Sequence, residues 1–190
     1  MKTKPRIHQS TLAFRLSATV LCLLASVLWT PAQAQNLVVS NSSVTRSGTH
    51  YENNATNAAL TISGSLGSFT GTNIILTGTA VSGNVGRIGA NLTAQGSLNL
   101  TNSTINAALY GIQLAGTSSA ILNNTNITTT TTGTFTNVYG INLATSSALT
   151  MIGGTITTGT TGARGVSAAG ASYVNLQDTV INWFSPLLCG

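Results

Sequence analysis

The sequence predicts an all-β chain, a right-handed parallel β-helix of about six rungs, and three observations carry that expectation. One is repetition. Glycine at Gly89, Gly111, Gly140 and Gly165 is followed sixteen residues later by isoleucine, at Ile105, Ile127, Ile156 and Ile181. Another is alternation. Nine residues past each glycine stands Leu98, Ala120, Leu149 or Val174, and two further on Leu100, Leu122, Met151 or Leu176; a period of two marks strands with one buried face. The third is composition. Thr, Ser, Asn, Gly, Val and Ile dominate, which suits pleated strands and tight turns, while neither the 3.6-residue period of helical repeats nor the frame of leucine-rich repeats occurs.

Within each rung the elements follow in order. A Gly-[Ile/Val]-x-Leu piece forms the first strand, Leu-x-Leu the second, and a piece centred on the closing isoleucine the third. Between the second and third stand Asn102-Ser103, Asn124-Thr125, Gly153-Gly154 and Asp178-Thr179, small residues that favour a turn. Earlier in the chain the pattern is weaker. Leu37, Val39, Asn41, Ser42 and Val44 match the second half of the repeat, and Phe69, Gly71, Thr72 and Ile74 match most of it. With Val44, Ile74, Ile105, Ile127, Ile156 and Ile181 as anchors, the rungs measure 30, 31, 22, 29 and 25 residues. Ala58 stands where a glycine is expected, and Leu60 and Ile62 fall one place out of phase. No rung can stand alone, because ordering its backbone costs more than its few inward side chains return. Stacking supplies the difference: each strand hydrogen-bonds to the layers above and below, about 4.8 Å away.

Residues 1–34 read as an export signal rather than part of the fold. Lys2, Lys4, Arg6 and Arg15 are its basic region, Leu16 to Trp29 its apolar stretch, and Ala32-Gln33-Ala34 its cleavage site, leaving Gln35 as the new terminus. The apolar stretch of about fourteen residues is too short for a stable bilayer anchor, and Leu21 before Cys22 argues against lipid attachment at that cysteine. Residues 35–182 are then the β-helical part and 183–190 a non-repeat tail. Four of the seven basic residues behind the net charge of +5 lie in the signal. The remainder of the chain carries Arg46, Arg87 and Arg164 against Glu52 and Asp178, so nucleic acid is not an implied partner. One cysteine, Cys189, remains after the signal, which excludes a disulfide within that part of the chain.

The inventory of reactive groups speaks against catalysis, a metal site or a cofactor. After the signal there is one histidine, His50, with Glu52 two residues on. As a strand the two would share a face and could act as an acid/base pair; a solvated loop is the expected setting. Asp178 reads as a turn residue. Polysaccharide lyases and hydrolases on β-helices need several carboxylates on one face, and two separated acids cannot supply them. No Gly-x-Ser-x-Gly nucleophile sequence and no Cys/His cluster occurs. Seven Asn-x-Ser/Thr sequons begin at Asn41, Asn54, Asn91, Asn99, Asn102, Asn123 and Asn126 and read as stacked turn residues rather than glycan acceptors. The Thr128 to Thr132 run could suggest ice binding, but an ice-binding face wants the same threonine pair on every rung, and this run falls in a connection.

That connection belongs to the one part of the repeat that varies. From each closing isoleucine to the next opening glycine, 14, 5, 12 and 8 residues intervene after Ile74, Ile105, Ile127 and Ile156, so insertions emerge along one edge. A ridge of loops is where a solenoid carries recognition. Tyr110, Tyr139 and Arg164, each immediately before an opening glycine, together with Thr130 and Phe135 in the connection after Ile127, are the candidate contact residues.

With the export signal, the Thr/Ser/Asn/Gly-rich coils and the phrases GIQLAGTSSAILNNTNITT and GINLATSSALTMIGGTITT, the chain resembles the N-terminal part of an autotransporter passenger domain of the pertactin-like kind. The resemblance covers Asn36 to Asn182. It implies transport to the periplasm or cell surface, a partner β-barrel translocator in the outer membrane, and adhesion or virulence-related contact with host or sister cells. The family's barrel and its preceding cap are not found in the 190 residues, and Trp183 to Gly190 leaves the repeat abruptly, so a truncated product whose bare last rung self-associates is expected. The alternatives are a β-helical carbohydrate-active enzyme or tail-fibre-like protein, which would need an acidic cluster or trimerising segment, and an ice-binding solenoid.

Overall fold

The computed structural model describes residues 34–53, 57–78, 87–130, 137–159 and 162–183. They form seventeen β-strands, all paired in parallel, wound as a β-solenoid of about five turns. Six layers result, because five turns separate the first layer from the sixth. Each layer has three strand segments, one on each face of the solenoid. The first face is a six-stranded sheet of β2 (Leu37–Ser40), β5 (Leu60–Ser63), β8 (Ile88–Leu92), β11 (Tyr110–Leu114), β13 (Tyr139–Leu143) and β15 (Arg164–Ala168). The second begins each layer's remainder with β3 (Ser43–Ser47), β6 (Ser68–Thr72), β9 (Ser97–Thr101) and β16 (Tyr173–Gln177). The third holds β1 (Ala34–Gln35), β4 (His50–Glu52), β7 (Ile75–Gly78), β10 (Thr104–Ala107) and β17 (Val180–Trp183). Two long strands, β12 (Ser119–Thr129) and β14 (Ala148–Thr158), run through the corner between the second and third faces and join them into one eleven-stranded sheet.

The repeated glycine and isoleucine turn out to touch. A Cβ added at Gly89, Gly111 or Gly140 would lie 2.3 Å from Cγ2 of Ile105, Ile127 or Ile156, and one at Gly165 would lie 2.4 Å from Cγ2 of Ile181. The two ends of the repeat are therefore one packing unit: the first strand lacks a side chain where the third strand of the same layer inserts one. Between adjacent layers Ile105, Ile127, Ile156 and Ile181 stand in register, forming a continuous column. Leu98, Ala120, Leu149 and Val174 make a second column, and Leu100, Leu122, Met151 and Leu176 a third. From Ile62 to Ile156 the side chains of this core are sealed from water.

Turn chemistry keeps the layers in phase. Asn73, Asn102, Asn124 and Asp178 at the second corner take φ of 54°, 49°, 48° and 51°, with Gly48 and Gly153 in the same place at 62° and 67°. Asparagine, aspartate and glycine adopt this left-handed conformation most readily. Next to them Ser103 and Thr179 donate from their hydroxyls to the carbonyls of Thr101 and Gln177, at 2.9 and 3.1 Å. At the first corner Ser118, Ser147 and Ser172 repeat another local bond, to Ala115, Ala144 and Ala169. Asn124 also donates to Asn102 Oδ1 in the layer before, at 2.9 Å.

Several positions differ from the sequence expectation. Leu37 and Val39 belong to the first face, paired with Leu60 and Ile62, rather than to the second half of the repeat. Val44 stacks on Phe69, and the residue equivalent to Ile105 is Leu76, not Ile74. The column of closing isoleucines is therefore preceded by Ala34, Tyr51 and Leu76. Leu60 and Ile62 are in phase after all, pairing with Ala90 and Leu92, which puts Ala59 rather than Ala58 opposite Gly89. The cause is corner length: five residues separate Ile62 from Ser68, whereas four separate their register partners Leu92 and Ser97. Phe69 also hides the pattern, because its ring takes the space of the next column and leaves Gly71 there, whose added Cβ would lie 2.7 Å from Phe69 Cε1.

Candidate functional site

Connection length varies almost wholly at the corner between the third face and the first face of the next layer. Between strands there, seven residues intervene after Glu52, nine after Gly78, two after Ala107, nine after Thr129 and five after Thr158. At the corner between the second and third faces the connection is two residues where strands are interrupted. The physical reason is the Gly/Ile contact: it locks the three strands of a layer together, while the step to the next layer needs only to rise one strand spacing.

Tyr110, Tyr139 and Arg164 open three successive strands on this corner and pair in register. The two phenol rings stack, with centroids 5.5 Å apart and planes 11° from parallel. The Arg164 guanidinium lies over the other side of Tyr139, 5.8 Å from its centroid. Tyr139 donates its hydroxyl to Asn137 Oδ1 at 3.2 Å. Burial raises the pKa of Tyr110, and the nearby Tyr139 adds to that shift, so the phenol holds its proton beyond its ordinary range. Below Tyr110 the same position is Ile88, which is buried. Thus the three candidates form one column, although sequence spacing alone placed them only at similar points of their rungs.

Thr130 is exposed beside the end of β12, where its N–H donates to Ala107 O. Phe135 lies outside the described residues. So do Ala32 and the apolar stretch from Leu16 to Trp29, whereas Ala34 and Gln35 form β1 and pair with Tyr51 and Glu52. The threonine run does not lie wholly in a connection: Thr128 and Thr129 belong to β12, in register with Thr157 and Thr158. Thr129 and Thr158 point inward, and their hydroxyls have no partner among the described residues.

Other groups singled out from the sequence are dispersed. His50 lies in β4, not in a loop, and its Nε2 meets Thr77 Oγ1 of the next layer at 2.8 Å. Asp178 takes the left-handed turn position already occupied by asparagine and glycine in other layers. Asn41 and Asn102 are turn residues, but Asn91, Asn99, Asn123 and Asn126 lie in strands, and Asn54 falls outside the described residues. Among the described residues no group of three or more His, Cys, Asp and Glu side chains is placed to hold a metal ion. What the corner offers is a stack of two phenols and the Arg164 guanidinium, with Arg87 just before β8 and amides nearby, a set suited to non-covalent recognition. No family model, characterised protein or solved structure matches the chain.

Proposed function

We propose that the chain is a non-catalytic surface-contact protein, exported and displayed as an autotransporter-type passenger, that recognises host or sister cells through the corner carrying Tyr110, Tyr139 and Arg164. The observation that carries this reading is the concentration of connection-length variation and of a stacked aromatic and cationic column on one corner of an otherwise uniform solenoid. Loops held on a rigid scaffold are a common site of recognition. In this reading an outer-membrane β-barrel translocator delivers the parent passenger to the surface, and the export signal of residues 1–34 starts the route.

The last layer supports a second contact, with another copy of the chain. Trp183 is 77% exposed and Ile181 44%, whereas Thr158 and Ile156, their in-register partners one layer earlier, are 0% exposed. Exposed apolar side chains on strands that pair on one side only among the described residues favour association.

The test of the cell-contact reading is binding of the purified protein, and of a variant lacking residues 131–136, to bacterial and epithelial cells. Three residues would still link β12 to β13, against two between β10 and β11, so the fold is expected to survive. Cell binding is expected to fall. Unchanged binding after shortening every variable connection would reject this corner as the contact surface.

A further inference from the structure

We propose that the Tyr110–Tyr139–Arg164 column is a subsite for an acidic glycan, in which Arg164 receives a carboxylate or sulfate group and neighbouring amides receive hydroxyls. The inference deepens the surface-contact reading and rests on it for biological setting, but its chemistry stands on the column itself.

Arg164 is the anchor of the subsite. Its side chain is exposed, and its guanidinium plane is laid against Tyr139 rather than paired with an acid. Among the described residues the carboxylates are Glu52, in the first layer, and Asp178, at a different corner of the last layer. Stacking restrains the planar group while leaving its N–H edge available, and that edge matches two oxygens of a carboxylate or sulfate. A lysine could not be held this way.

The surrounding groups favour an anion too. Asn137 uses its Oδ1 to accept from Tyr139, which turns its amide N–H groups to other partners. Tyr110 keeps its phenol protonated, so it presents no negative charge. Three residues along the same strands, Asn91, Gln113, Asn142 and Ser167 form a second register-matched row that is partly exposed. At about 3.3 Å per residue the two rows lie about 10 Å apart, close to the span of two sugar units. A glycan could thus set its charged group on Arg164 and its hydroxyls along the amides. A neutral apolar ligand would find little: the faces of Tyr139 are already covered by Tyr110 and Arg164.

The experiment measures affinity of the full chain for polygalacturonate, heparin and neutral dextran. Wild-type protein is expected to bind at least one acidic polymer and not dextran; the polygalacturonate and heparin arms tell carboxylate from sulfate. Arg164→Gln should weaken binding about tenfold or more, a loss ordinary for one charge-assisted pair, and Arg164→Lys should recover only part of it. Tyr139→Ala should weaken it more than Tyr139→Phe, which keeps the ring under Arg164 but loses the bond to Asn137. Arg46→Gln, at an exposed cation on β3, is the control and should bind as wild type. Unchanged circular dichroism and urea midpoints would establish that the variants fold. The proposal is overturned by no binding to either acidic polymer, by equal binding of dextran, or by equal losses in the Arg46 and Arg164 variants. Cell binding measured in parallel separates the two readings: cells bound without any binding of acidic polymer would reject the glycan subsite and leave surface contact standing, whereas Arg164-dependent binding of acidic polymer without cells would do the reverse.

Discussion

At Gly140 an added methyl would meet Cγ2 of Ile156 at 2.3 Å and the carbonyl oxygen of Gly165 at 2.6 Å. Neither can retreat, since Ile156 is fully buried and Gly165 is held in the next strand. Gly140→Ala should therefore cost about 1–3 kcal/mol by overpacking, read as a lower urea midpoint. In a double-mutant cycle with Ile156→Ala the combined loss should be smaller than the sum, because the truncated side chain leaves room for the methyl; additive losses would refute the direct contact. Tyr110 gives a residue-scale pH effect. Its folded pKa is raised, first by burial and then by Tyr139, so the folded state holds a proton that the unfolded chain releases earlier. The stability this contributes is full below the unfolded pKa, about 10, and is lost as pH rises through the folded value. Tyr110→Phe should show a smaller alkaline loss of stability than wild type in urea titrations on either side of that range. The glycine and isoleucine spacing could be read directly from the chain; that the two ends of the motif meet could not, because sixteen residues of separation say nothing of distance until the layer closes.

A strand here is defined by the neighbours above and below it as much as by its own residues. That is why the early layers are harder to read from sequence. Val44, Phe69, Leu98 and Ala120 form one register column although their local sequences differ widely in bulk. Phe69 compensates for Gly71, so a column can keep its volume while its sequence pattern dissolves. Tyr51 takes an isoleucine place and meets the Phe69 ring edge-on at 6.1 Å. The same reasoning predicts the behaviour of connections. Removing residues 131–136 should leave the urea midpoint close to wild type, since β12 and β13 retain their ladders with β14 and β11, and only cell binding should change. A large fall in the midpoint would mean that this connection contributes to the core. Tyr110, Tyr139 and Arg164 were legible as candidates through their shared place before glycine. Their stacking needed the register, which sets the rings on adjacent strands.

A solenoid distributes its stability along one axis, each layer depending mainly on its neighbours. Among the described residues, the strands of the sixth layer pair with one neighbouring layer. Leu176 is 37% exposed and Val180 53%, while Met151, the register partner of Leu176, is buried. Polar replacement of the most exposed of these, Val180→Asn with Trp183→Ser, should lower the concentration-dependent association seen by sedimentation velocity without removing the fold; association unaffected by both changes would place the self-contact elsewhere. For the molecule as a whole, pattern along the chain was enough to specify the parallel β-solenoid, its three strands per layer and the turns from Asn102 onward, because period-two alternation and recurrent Asn and Gly are local constraints repeated along the chain. Tertiary structure alone decided the register of the first layers, the Gly/Ile contact and the Tyr–Tyr–Arg column. These depend on which residues the winding brings one strand spacing apart, and that is set by the length of every corner between them.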